Sequence, residues 1–177
     1  TADQGTESGL QETRQNLSKA GVQFFGGYDP GDTDNICEVV SLPIRVQTAR
    51  RIETKGALPV ALCGWHYFMR KPQPGEIEVM KRYAAIMPVM AFVEMGVEYQ
   101  AQASSSQQEI AHAVIDAGAD FVIANNPHWV QNTESYKGKL IVYATGNFIF
   151  DQLEPEEKRS ASIDVTMKIT YNESVAS

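Results

Sequence analysis

The chain has 177 residues, 43% of them hydrophobic, which is enough to bury the core of one domain spanning residues 1–177. Fifteen Lys and Arg against 22 Asp and Glu give a net charge of −7 with no basic run, and this argues against nucleic acid as a partner. No apolar run reaches the roughly 20 residues that a membrane helix needs, and the first residues lack the pattern of a signal peptide. Composition leaves the compartment and the oligomeric state open.

The first part of the chain alternates helical and strand patterns. The predicted elements are a helix at 6–20, a strand at 22–25, a loop at 28–35, and strands at 37–48 and 58–67 joined by a charged stretch. Cys37 and Cys63 lie in the last two strands. We interpret them as small core residues, because two cysteines make neither a disulfide framework nor a zinc site.

The alternation continues to residue 144. The predicted elements are a helix at 76–86, a strand at 89–93, a helix at 105–118, and strands at 119–123 and 139–144. Strands that alternate with helices predict an α/β fold in which helices pack on a sheet.

Polar side chains follow two of these strands. Asn125, Asn126 and His128 come after the strand at 119–123, and Asn147 lies in the turn after the next strand. Ligands of open α/β sheets bind beyond the carboxyl ends of the strands, so these residues are candidates for a site. Asn-Pro and Gly-Asn are also ordinary turn formers, and a role in the turns alone stays open.

Several blocks of this region resemble the bacterial capsule synthesis family, whose namesake acts in poly-γ-glutamate production. The blocks are GVEYQ, IDAGAD, NPHW and YATGNFIFDQ, and residues 3–27 resemble the helix and strand after the family's first metal-binding block. The resemblance implies a layered sandwich like that of the calcineurin-like metallophosphoesterases. The family's first strand and its Asn-Asn-His block have no counterpart here. We therefore expect the chain to lack the first strands of that fold, with Asp3 matching the acidic residue after the block.

The same resemblance implies a metal site. His128 matches one histidine of the family's His-x-His pair and Asn126 stands at the other, while Glu94 stands where a histidine precedes the GVEY-like block. The implied metal ligands are Glu94, Asn126 and His128. The implied catalytic residues are His128 and Asn147, and the part implied for Asn147 is to orient a ligand loop or to bind substrate. The implied cofactor is a divalent metal (Mn, Mg, Ca or Zn), and the oxygen donors favour the harder ions.

Three other sets of residues have simpler interpretations. Glu94 and Glu98 can also form a solvated face at i, i+4 spacing, and His66 and His112 are interpreted as packing residues. A polyanion would need basic side chains, for which the candidates are Arg50, Arg51, Arg70, Lys71, Lys81 and Arg82.

Two functions follow from the resemblance. The first is a metal-dependent phosphoesterase-like hydrolase that acts on a phosphoester. The alternative is a noncatalytic family member that binds a polyanionic polymer or a partner in the cell envelope, the location that the family suggests.

Overall fold

The computed structural model describes residues 7–26, 31, 33–47, 51–67 and 70–166. The helices are α1 (Glu7–Lys19), α2 (Pro74–Ala84), α3 (Ser105–Asp116) and a short 3-10 helix (Glu156–Lys158). The strands are β1 (Cys37–Gln47), β2 (Ile52–His66), β3 (Val89–Glu94), β4 (Phe121–Asn125), β5 (Thr133–Tyr136) and β6 (Lys139–Val142). Asp3 and Arg50 lie outside the described residues. No helix in the described part of the chain has the length and apolarity that crossing a membrane requires.

The described strands form one sheet in the order β1-β2-β3-β4-β6-β5. The four central strands β2, β3, β4 and β6 run parallel, and the two edge strands pair antiparallel with their neighbours. The fold is therefore the predicted α/β arrangement, and its parallel strands end at a common edge of the sheet.

The two faces of the sheet differ in burial. In-register Trp65, Val93 and Ala124 are almost completely buried and belong to a core cluster that includes Met80 of α2 and Val114 of α3. The next residue of each strand points to the opposite face, because side chains alternate along a strand. That alternation sends the last residues of β2, β3 and β4 away from the core.

Local signals account for the bounds of α3. The hydroxyl of Ser104 accepts a hydrogen bond from the backbone of Gln107, and the Gln107 side chain accepts one from the backbone of Ser104. A stripe of Ile110, Ala111, Val114 and Ile115 is buried against the sheet. The helix ends before Gly118, whose φ of +114° suits glycine. The prediction of this helix is confirmed.

Three strand predictions differ from the structure by more than small shifts of their ends. Residues 22–25 form no strand. Phe25 packs its ring on Phe92 (centroids 5.2 Å apart) in space that Gly64 leaves open. Strand β2 begins at Ile52, within the charged stretch that was predicted to join the two strands. Strand β5 was not predicted. It forms a hairpin with β6 through Lys137 and Gly138, both at positive φ (+50° and +76°), as a two-residue turn requires.

The interpretation of the cysteines as two separate core residues is wrong in one respect. Both are buried, but they are direct partners in the antiparallel β1-β2 pair, with Cα atoms 4.1 Å apart, and they form a disulfide. Cysteine count alone could not indicate this pairing, because it depends on the register of the two strands.

Candidate functional site

Three polar residues stand side by side at the common edge where the parallel strands end. His66, Glu94 and Asn125 are the last residues of β2, β3 and β4, and Glu94 is the register partner of both others. Register partners share a face of the sheet, here the face opposite α2 and α3. The His66 Nε2 lies 3.6 Å from the Glu94 Oε2. Glu94 is thus a strand-end residue, and not part of a helical face with Glu98 as one interpretation had it.

The loops after β3 and β4 are tied to each other by hydrogen bonds. The Asn126 side-chain nitrogen donates to the Gly96 carbonyl at 2.8 Å, and the Tyr99 backbone N–H donates to the Pro127 carbonyl at 2.8 Å. Tyr99, Asn126 and His128 all have positive φ (+59°, +121° and +62°). Such strained conformations of residues other than glycine cluster at functional sites.

His128 is held by a residue from a distant part of the chain. Its Nδ1 lies 2.8 Å from the Oδ1 of Asn147, whose Nδ2 donates to the Gln152 side chain (2.8 Å) and to the Glu157 carbonyl (2.9 Å). Because both acceptors face the Nδ2, the Asn147 oxygen faces the ring and can only accept. The hydrogen of neutral His128 is therefore on Nδ1, and the Nε2 lone pair is left for a ligand.

Acidic and aromatic side chains surround the Nε2 side of the His128 ring. Its Nε2 lies 3.8 Å from the Glu98 Oε1, its ring stacks on Tyr99 with centroids 5.7 Å apart, and Phe150 lies on another side at 5.3 Å. The side chain of His128 is 22% exposed and that of Glu98 is 43% exposed. We call the surface formed by His66, Glu94, Glu98, Asn126 and His128 the strand-end cleft.

All five candidates from the sequence come to this edge: Glu94, Asn125, Asn126, His128 and Asn147. Asn147 contacts His128 directly, whereas Glu94 pairs with His66, and Asn126 bonds to the backbone of the loop after β3. The sequence predicts only packing for His66 and only a solvated face with Glu94 for Glu98. Strand register places His66 beside Glu94, whereas Glu98 lies near His128 because the loops after β3 and β4 are tied together by hydrogen bonds.

The cleft offers metal donors in pairs. In each pair an imidazole nitrogen and a carboxylate oxygen are 3.6 or 3.8 Å apart, which is longer than a hydrogen bond. Within the described ranges, no group of three or more His, Cys, Asp or Glu could hold a metal ion. The carboxylates suit Mg²⁺ or Mn²⁺ that keeps several waters, the imidazoles suit transition metals, and a structural zinc site takes four protein ligands.

The basic residues considered for polyanion binding are largely engaged by carboxylates. Arg70 makes two hydrogen bonds, of 2.7 and 2.8 Å, to the buried carboxylate of Glu76, and Lys71 lies 3.1 Å from Glu109. Lys81 lies 3.9 Å from Glu78, and Arg51 pairs with its near neighbour Glu53. These pairs do not build a basic surface beside the cleft.

His112 belongs to a separate cluster that links α3 to the β5-β6 hairpin. Its Nε2 lies 2.7 Å from Glu134, its ring stacks on Tyr136 at 3.8 Å, and Glu134 accepts a 2.6 Å hydrogen bond from the buried Tyr143 hydroxyl. That hydrogen bond, with the contact to His112, lowers the pKa of Glu134, and burial raises the pKa of Tyr143. The prediction of a structural role for His112 agrees with these contacts.

Known proteins match the chain over most of its length. The family described as Bacterial capsule synthesis protein PGA_cap matches residues 1–152. Capsule biosynthesis protein CapA of Bacillus anthracis is 36% identical over 173 residues, which cover 90% of this chain and 40% of that protein. PGA biosynthesis protein CapA of Bacillus subtilis is 35% identical over 92 residues, or 52% of this chain and 24% of that protein. The chain therefore spans less than half the length of either relative.

Proposed function

This chain belongs to the bacterial capsule synthesis protein family, and from that premise we propose that it serves poly-γ-glutamate capsule synthesis as a Mg²⁺- or Mn²⁺-dependent phosphoester hydrolase. The names of the two CapA relatives support the process, because they refer to capsule and PGA biosynthesis. The orientation of His128 supports the chemistry. Its anchored Nδ1 leaves the Nε2 facing Glu98 across 3.8 Å, an arrangement that metal-ligating histidines commonly have.

Each residue of the cleft has a defined part in this proposal. His128 and Glu98 would hold one side of a bound ion, Glu94 and His66 would offer a second pair of donors, and the Asn126 side-chain oxygen would be a neutral donor on the loop after β4. A bound divalent cation would polarise a phosphoryl oxygen and lower the pKa of a bound water. Asn147 acts through His128 by fixing its ring, and is therefore a positioning residue.

The choice of ion follows from the donors. Carboxylate and amide oxygens suit hard ions, and Mg²⁺ is commonly held by one or two carboxylates, several waters and substrate phosphates. Glu94 and Glu98 add two negative charges to this edge of the sheet. A bound cation would offset the repulsion of a phosphoester by these charges.

The test is hydrolysis of p-nitrophenyl phosphate by the complete protein with added Mn²⁺ and after chelation. We expect His128→Ala to lower kcat/KM by about 100-fold or more, the usual contribution of a catalytic side chain. The matched control is His112→Ala, which removes an imidazole of similar exposure (31% against 22%) from the separate cluster. Equal rates for His128→Ala and wild type, or hydrolysis that survives chelation, would exclude this proposal.

A noncatalytic role is the second candidate, and an apolar surface favours it. Phe148, Ile149 and Leu153 are 92%, 85% and 78% exposed, and their segment adjoins the cleft through the contact of Phe150 with His128. Exposed apolar patches are common at protein interfaces. If partner binding is the function, Phe148→Ser with Ile149→Ser will lower capsule yield in cells while His128→Ala leaves it unchanged. The hydrolase proposal predicts that His128→Ala lowers the yield.

A further inference from the structure

Gln152 connects two residues that both contact His128. The side-chain oxygen of Gln152 accepts a hydrogen bond from the Asn147 Nδ2 at 2.8 Å, and its Nε2 donates to the Tyr99 hydroxyl at 3.0 Å. Asn147 contacts the His128 Nδ1 at 2.8 Å, and the Tyr99 ring stacks on the His128 ring with an interplanar angle of 19°. The contacts form a closed ring of side chains, which we call the His128 circuit: Tyr99, His128, Asn147 and Gln152.

The His128 circuit joins segments that lie far apart in the sequence. Tyr99 belongs to the loop after β3, His128 to the loop after β4, and Asn147 and Gln152 to the segment after β6. Tyr99 and Gln152 are 53 positions apart. In a closed polar network the loss of one contact weakens the others, because each member limits the movement of its neighbours. Gln152 can therefore affect His128 through both of its partners.

A backbone carbonyl sets the direction of the hydrogen bonds in the circuit. The Glu157 carbonyl can only accept, and it lies 2.9 Å from the Asn147 Nδ2. The Asn147 oxygen must therefore face His128, and the Gln152 oxygen must face the Asn147 Nδ2. The other end of the Gln152 amide is its Nε2, which donates to the Tyr99 hydroxyl oxygen. Gln152 is thus the side-chain acceptor that helps to hold Asn147 with its oxygen toward the histidine.

The Tyr99 end of the circuit holds a strained backbone. Tyr99 and His128 have φ of +59° and +62°, in the left-handed region that residues other than glycine rarely adopt. Such conformations persist where the surrounding contacts hold them. The contacts of Tyr99 include its backbone bond to the Pro127 carbonyl and the bond of its hydroxyl to Gln152. Gln152 therefore supports the His128 ring at two places, the Nδ1 through Asn147 and the ring face through Tyr99.

We propose that Gln152 is a positioning residue of the strand-end cleft. Through Asn147 it keeps the hydrogen of neutral His128 on Nδ1, and through Tyr99 it holds the plane of the ring, so that the Nε2 lone pair stays available to a ligand. The consequence for catalysis rests on the proposed metal-dependent hydrolysis. The state of the His128 ring can be measured without it.

The test is ¹⁵N NMR of the histidine rings in the complete protein at about pH 8, where an ordinary histidine is neutral. His128→Ala identifies the His128 signals. We expect the wild type to carry the His128 hydrogen on Nδ1, and Gln152→Ala to show a mixture of the two tautomers. The kcat/KM for p-nitrophenyl phosphate should fall about 10- to 100-fold in Gln152→Ala, the usual effect of losing a group that orients a metal-binding histidine.

Gln152→Glu is the conservative variant that separates positioning from a general loss of structure. Its carboxylate can accept from both partners of the Gln152 amide if the Tyr99 hydroxyl turns to donate, so His128 should keep the wild-type tautomer. Tyr99→Phe should add no further loss to Gln152→Ala, because the two changes break the same link. The matched control is Gln23→Ala, which removes an amide that donates to Glu38 at 2.9 Å and should change neither measurement.

Three results would contradict the proposal. These are a wild-type His128 with its hydrogen on Nε2, a Gln152→Ala variant with the wild-type tautomer, and a Gln152→Glu variant that loses this tautomer as Gln152→Ala does. A lower kcat/KM with a lower Tm and an unchanged tautomer would assign Gln152 a structural role instead. If the wild type does not hydrolyse p-nitrophenyl phosphate while Gln152→Ala still changes the tautomer, the hydrolase proposal fails and the positioning of His128 by Gln152 stands.

Discussion

Gly96 lies against Gln107 in the cap of α3, and its carbonyl accepts a hydrogen bond from Asn126 of the strand-end cleft. Gly96→Ala should lower the free energy of unfolding. The φ of Gly96 is +108°, and an added Cβ would lie 2.4 Å from the Gln107 Nε2 and 2.5 Å from its Cδ. Gln107 is 2% exposed, and its amide donates to Gln131 at 2.8 Å and accepts from Ser104 at 3.0 Å. The amide can move only by giving up these bonds.

The expected cost has two parts. Forcing a residue other than glycine into left-handed backbone costs about 1–2 kcal/mol, and losing one or two buried hydrogen bonds of Gln107 costs about 1–2 kcal/mol more. The sum of about 2–4 kcal/mol corresponds to a fall in Tm of roughly 5–15 °C for a domain of this size.

The control for backbone strain is Gly138→Ala in the β5-β6 turn. Gly138 also has positive φ (+76°), but an added Cβ there would meet nothing within 4 Å. Denaturant unfolding of both variants then separates strain from the clash, because only Gly96→Ala displaces the Gln107 amide. A Gly96→Ala variant that is no less stable than Gly138→Ala would refute the account of Gln107 as a fixed part of the scaffold.

Three further changes test other contacts. Arg70→Ala should cost roughly 3–5 kcal/mol in denaturant unfolding, because it leaves the carboxylate of Glu76 (1% exposed) unpaired; a loss below about 1 kcal/mol would contradict this. Reducing the disulfide of Cys37 and Cys63, which are 26 residues apart, should cost about 2–4 kcal/mol and lower the Tm, with no effect of the reductant on a variant in which both are Ala. The lowered pKa of Glu134 means that its ionised form stabilises the fold above the ordinary carboxyl pKa, and that this contribution is lost as pH falls through the lowered value. Glu134→Gln should therefore be less stable than wild type at pH 7, and the gap should narrow by pH 3; a gap that is constant with pH would contradict it.

The elements with strong local signals were predictable from the sequence. Helix α3 has its cap at Ser104 and a stripe of buried apolar residues, and the short apolar runs of β3 and β4 lie between turn residues. Elements that depend on distant partners were not. Strand β2 extends back through charged residues because β1 pairs with it across a hairpin, and β5 forms because β6 provides its partner. Local propensity does not contain that information.

The candidate site was predictable as a set of positions but not as a set of contacts. The rule that ligands bind beyond parallel strand ends placed Asn126, His128 and Asn147 correctly at one edge. It did not indicate that His66 stands beside Glu94, because that neighbour depends on how β2 and β3 align. A one-residue change of register would send either side chain to the opposite face.

Backbone pairing of β4 with β6, and of the segments that follow them, brings His128 and Asn147 together. Strands β4 and β6 are parallel neighbours, and beyond their paired residues the chain continues with a bridge between Val130 and Thr145. That bridge keeps the two loops together past the strand ends, so Asn147 reaches the His128 ring at 2.8 Å. The histidine's orientation is therefore set by backbone pairing and not by the loop sequence alone. A substitution that weakens this pairing should alter the cleft even though it touches no ligand, because the Nδ1 of His128 would lose its acceptor.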